Sequence, residues 1–108
     1  MKKLVLALTL LFGVSMVYSQ QQQPKPYNEN QDARADIRKA VEQAKKENKN
    51  VLMQFGGNWC PWCMRFHALV TTYPRLDSLM KANYVYVLIN VPSAKDKAKR
   101  DYTLFADY

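Results

Sequence analysis

Cys60 and Cys63 are the only two cysteines of the chain, and they sit in Asn58-Trp59-Cys60-Pro61-Trp62-Cys63. A bridge between them closes so small a loop that it takes little entropy from the unfolded chain, which makes it a poor structural staple. Exchange chemistry explains the spacing better. If a helix starts at Cys60, Pro61 falls in its first turn, where a missing N–H costs nothing and a fixed φ helps. Cys60 then meets the positive end of the helix dipole among unpaired backbone N–H groups. That environment favours the thiolate, and the thiolate is the nucleophile. Cys63 falls on the same helix face, within bridging reach. The expected chemistry is a two-step exchange: Cys60 attacks a substrate disulfide, or is attacked, and Cys63 resolves the mixed disulfide.

The neighbouring residues divide into helpers and bystanders. Trp59, Pro61 and Trp62 are the expected substrate contacts. Trp62 is placed at an exposed helix tip, whereas Trp59 suits either a lid over the cysteine pair or a core aromatic. His67 stands seven positions after Cys60 and can tune the thiolate or be an ordinary helical histidine. Met64 and Phe66 read as packing residues. Zinc requires more ligands than one histidine and two cysteines supply. Haem attachment requires a histidine where Met64 stands. The expectation is a site without metal and without any cofactor beyond its cysteines.

The elements that must position this pair are legible in the apolar pattern. Ile37, Ala40, Val41 and Ala44 follow helical spacing, with Asn30 or Asp32 as cap and Asn48-Lys49-Asn50 as the end. Val51 to Phe55 reads as a strand buried on both faces and stopped by Gly56-Gly57. A helix follows the cysteines to about Val70, Thr71 to Pro74 breaks it, and Leu76, Leu79 and Met80 suggest a further short helix. Tyr84 to Val91 is the second strand. Lys95 to Tyr108 is read as one helix with Ala98, Tyr102 and Phe105 on a common side. Two strands joined through a helix should lie parallel with a right-handed crossover, an α/β arrangement.

Ahead of this domain lie two other segments. Lys2 and Lys3, the apolar run Leu4–Val17 and a small residue at Ser19 have the layout of a secretory signal peptide over residues 1–19. Residues 20–31 are polar and proline-containing and read as a flexible linker, so the domain is set at 32–108. Export implies a periplasmic or secreted protein with no membrane attachment after cleavage, where a cysteine pair favours a disulfide. The net charge of +7 is spread among carboxylates, which argues against nucleic acid as a partner.

The segment Val51–Phe66, VLMQFGGNWCPWCMRF, resembles the active-site strand, loop and helix of the thioredoxin-like family. The longer stretch before YVYVLINV resembles its secreted and periplasmic members in particular. The resemblance spans about residues 33–108 and implies a thiol–disulfide oxidoreductase acting on protein thiols or disulfides, with a redox partner that recycles the pair. The family's buried aspartate, six residues before the first cysteine, is Gln54 here, and the position of its lysine neighbour falls on Val87. Losing both is self-consistent, since a lone buried charge is costly. The resolving step would then draw on water or substrate for its proton. No proline matching the family's cis-proline loop follows Pro92, so the C-terminal hairpin and last helix are expected to be missing. Two other outcomes stay open: a binding module with a permanent disulfide, or an inactive fragment of an active parent.

Overall fold

A computed structural model describes residues 23–108, so the expected signal peptide lies outside the described residues. Helix α1, Ala33–Glu47, buries Ile37, Ala40 and Ala44, the positions whose spacing predicts it. The Asp32 carboxylate accepts from the Ala35 N–H and satisfies one orphaned donor of the first turn. The helix ends at Asn48, whose φ of 52° lies in the left-handed region that asparagine tolerates. Its N–H donates back to the Ala44 carbonyl. The expected end at Asn48–Asn50 is therefore sharper than the pattern suggests, because Asn50 already belongs to a strand.

Strands β1, Asn50–Gly56, and β2, Tyr84–Asn90, pair in parallel, with Asn50 opposite Tyr84 and Gly56 opposite Asn90. Helices α2, Pro61–Thr72, and α3, Pro74–Asn83, form the crossover. They part at Tyr73, which the Pro74 ring holds in extended conformation, so α2 runs slightly past the expected Val70. Side-chain alternation gives the sheet two faces. On one, Met53, Phe55, Val87 and Ile89 pack with Ile37 and Val41 of α1 and with Leu104. Ile37 and Ile89 are fully buried, each contributing roughly 1.5–3 kcal/mol. The opposite face carries Gln54 and Tyr86 towards α2.

Three expectations change. The first is that β1 is buried on both faces: most of its residues are only partly buried. Among the described residues the sheet has two strands, so each keeps an open edge. The edge of β2 is covered by one side chain. The Gln31 carboxamide donates to the Leu88 carbonyl at 2.7 Å and accepts from the Asn90 N–H at 2.9 Å, standing in for a neighbouring strand.

The second concerns the polar segment before residue 32. Tyr27 is 3% exposed. Its backbone is held by the Asn58 carboxamide, which accepts from the Tyr27 N–H at 3.1 Å and donates to its carbonyl at 2.9 Å. The packed unit therefore reaches back into the stretch read as linker.

The third concerns the C-terminal helix. The stretch is a 3₁₀ turn, Ala94–Lys99, followed by a separate helix α4, Tyr102–Asp107. Asp101 causes the break: its carboxylate accepts from the N–H groups of Thr103 and Leu104 and starts a new helix. Leu104 is consequently the buried residue, while Tyr102 and Phe105 stay largely exposed. The Arg34 guanidinium ties α4 to α1, donating to Asp107, to Asp101 and to the Thr103 hydroxyl.

Removing the Asp101 cap should loosen α4 and with it the lid on the core. Asp101→Ala is expected to cost about 1 kcal/mol, seen as a lower urea midpoint at an unchanged m-value. An unchanged midpoint would show that Leu104 burial alone holds α4.

Candidate functional site

Gly56 ends β1, and α2 begins five residues later, at Pro61. Cys60 is the N-cap of that helix and Pro61 its first residue. The Cys60 N–H donates to the Gly57 carbonyl at 3.0 Å, which sets the turn. The Cys63 N–H donates to the Cys60 sulfur at 3.3 Å, as an N-cap side chain should accept. Cys60 and Cys63 are joined as a disulfide with their Cα atoms 5.3 Å apart, inside the span such a bridge requires. The first turn of α2 carries no acidic residue, so no side-chain anion there opposes negative charge on Cys60.

The expected contact residues lie at the surface around the pair. Trp62 is 74% exposed, and the Arg65 guanidinium lies 4.8 Å from its ring centre, a cation–π contact. Trp59 is 51% exposed and is tethered by its indole N–H to the Val91 carbonyl at 2.7 Å, so it is not a core aromatic. It borders a depression of about 540 Å³ that Asn58, Asn90 and Pro92 also line. Pro61 is exposed at the helix tip. Phe66, expected to pack, is largely exposed, whereas Met64 is partly buried. Among the described residues no three His, Cys, Asp or Glu side chains gather where a metal could be held.

Beneath the pair lies a polar cluster that the sequence reading locates only in part. The Gln54 amide donates to the Cys63 carbonyl at 2.9 Å, and its oxygen accepts from the Tyr86 hydroxyl. Gln54 pairs in register with Leu88; Val87 stands opposite Met53 on the core face, so Val87 is not the neighbour of Gln54. Burial pushes the Tyr86 phenol up to about 12, and the nearby Tyr27 adds to that. Burial likewise pushes the Tyr27 phenol up, with Gln54 opposing it. The His67 ring stacks on Tyr86 with centroids 5.9 Å apart, and its Nδ1 is buried without a partner. Tyr27 and Tyr86 carried no expectation as site residues. The available signal was thin: Tyr27 is a lone aromatic in a polar stretch, and Tyr86 alternates with Leu88 on one side of a strand.

Fold and site together define an α/β domain whose disulfide caps a crossover helix at the end of a strand. A family model described as thioredoxin-like matches residues 32–106, and the chain belongs to the thioredoxin-like family. No curated protein and no solved structure matches it.

His67 generates a pH prediction. Burial lowers its pKa from the ordinary histidine value, so the unfolded chain binds that proton more readily. The stability it contributes is complete above about pH 6.5 and falls as the pH drops through and below that value. The carboxylates held low, Asp96 by Lys99 and Asp101 by the Thr103 hydroxyl, titrate in a more acidic window. The urea midpoint should therefore decline between about pH 7 and 5, and His67→Gln should flatten that decline. An equal decline in the variant would assign the pH dependence elsewhere.

Proposed function

We propose that this chain is an exported protein thiol–disulfide oxidoreductase that works through Cys60 and Cys63. One observation carries the proposal: Cys60 is the N-cap of α2, its sulfur already accepting a backbone N–H of the first turn. Such a position stabilises a thiolate more than a thiol, because the donor and the helix dipole both favour negative charge. Export and a periplasmic or secreted location rest on the layout of residues 1–19.

In the reducing direction the Cys60 thiolate attacks one sulfur of a substrate disulfide. The Cys60–substrate S–S bond forms as the substrate bond breaks, and the second substrate sulfur leaves as a thiolate. The Cys63 thiolate then attacks the Cys60 sulfur, the first substrate sulfur leaves, and the Cys60–Cys63 disulfide closes. Two electrons have passed to the substrate, and a dithiol partner returns them by the same exchange. Run backwards, these steps oxidise a substrate dithiol. Trp62 and Pro61, exposed beside Cys60, are the surface a substrate chain meets first, with Trp59 on the other side of the turn.

The division of labour between the cysteines is testable with a model protein disulfide and the reduced enzyme. Cys60→Ser should abolish turnover. Cys63→Ser should stall as a covalent mixed disulfide on Cys60, detectable by mass. Undiminished turnover in Cys60→Ser would overturn the proposal.

A further inference from the structure

The resolving cysteine of this site has no buried carboxylate near it; among the described residues no charged side chain is buried at all. What lies near the Cys63 sulfur instead is the Tyr27 hydroxyl. A Cβ built on Gly56 would stand 2.6 Å from the Cys63 sulfur and 2.8 Å from the Tyr27 hydroxyl, so both groups crowd the same bare stretch of backbone. Their separation is at most those two contacts laid end to end. Tyr27 is 3% exposed, and among the described residues its hydroxyl donates to no partner, although the nearby Gln54 carboxamide opposes the effect of burial on its pKa. An orphaned buried hydroxyl costs free energy, and native structures rarely retain one without a reason. The two Asn58 bonds to the Tyr27 backbone hold the residue in place independently of its hydroxyl. Tyr27 also precedes the span that matches the thioredoxin-like family, residues 32–106.

Taking the proposed exchange through Cys60 and Cys63 as its basis, we propose that the Tyr27 hydroxyl is the hydrogen-bond donor that receives the Cys63 sulfur when the disulfide opens. When an incoming thiolate attacks Cys60, the Cys60–Cys63 bond breaks and Cys63 leaves carrying the electron pair. The Tyr27 O–H donates to that thiolate and keeps its own proton. In the reverse step the same bond holds Cys63 ionised and aimed at the mixed disulfide. The direction of donation is set by Tyr27 itself: burial raises its pKa, so it stays protonated and serves as a donor, not as a base. The other titratable groups of the cluster are Tyr86 from β2 and His67 from α2. Tyr86 already donates to Gln54, and the His67 ring is stacked on Tyr86. Of the two phenols, Tyr27 is thus the one with a donor to spare.

The test is Tyr27→Phe, which keeps the ring and removes only the unpartnered hydroxyl. In a Cys60→Ser background the Cys63 thiol titrates alone, followed by the rate of alkylation against pH. Loss of a hydrogen bond to a charged sulfur should weaken Cys63 acidity roughly tenfold, a rise of about one pKa unit. With both cysteines present, the same variant should shift the thiol–disulfide equilibrium towards the disulfide, since the oxidised form no longer carries an orphaned hydroxyl and the reduced form loses its donor. A merely structural tyrosine would move the melting temperature and leave the Cys63 titration where it was. In the unsubstituted protein, reduction should also shift the ¹³Cζ resonance of Tyr27, a readout that needs no variant. An unchanged Cys63 titration and an unmoved Tyr27 resonance would overturn the inference while leaving the exchange reaction intact. Failure of the exchange itself would show separately, as a Cys63→Ser protein that traps no substrate.

Discussion

The site depends on how closely the first turn of α2 can approach the end of β1. That approach is possible only because residue 56 has no side chain: a Cβ there would collide with the sulfur and Cβ of Cys63. Interiors pack to near-crystalline density, so an added methyl at this point would have to push the helix away. Moving α2 would separate the Gln54 amide from the Cys63 carbonyl and the His67 ring from Tyr86, contacts that hold the helix against the sheet. The strand's alternation places Gln54 on the α2 face and Phe55 in the core, so the packing that stabilises the domain also orients the floor of the site.

The floor itself is built without ions. A carboxylate in this place would require a buried counter-charge, and desolvating the two often costs more than their attraction returns. A carboxamide and two phenols avoid that cost while still offering donors and acceptors. The amide of Gln54 joins Tyr86 to the backbone of Cys63, and the Tyr27 hydroxyl, which donates to no partner among the described residues, lies near the sulfur. Charge is kept outside, on the exposed rim where Arg65 meets Trp62 and along the Arg34 cluster that ties α4 to α1. The interior cluster and the helix N-terminus therefore serve different sulfurs: the dipole acts on Cys60, and the hydroxyl lies beside Cys63.

How much of this could be read in advance follows from the range of the interactions. The cysteine spacing, Pro61 at the helix start and the apolar runs of β1 and β2 are local signals, and the elements they predict are present. Asp101 is equally local, yet its capping role was hidden inside a plausible helical pattern from Lys95 onward. Tyr27 and Gln31 were hidden for another reason. Both lie in a polar stretch with no period, and both acquire their roles from partners far away in sequence: Asn58 and Gly56 for one, Leu88 and Asn90 for the other. The register of β2 had the same difficulty, since one position decides whether Val87 or Leu88 lies beside Gln54, and only pairing settles it.

On the proposed function this disulfide is a working redox pair and not a fixed link. This is tested most directly by equilibrating the protein across a series of glutathione ratios, alkylating the free thiols and counting them by mass. A reversible transition is expected in which both thiols appear together, as a two-electron couple requires. A pair that stays oxidised across the whole series would contradict it and assign the domain to binding through a permanent disulfide.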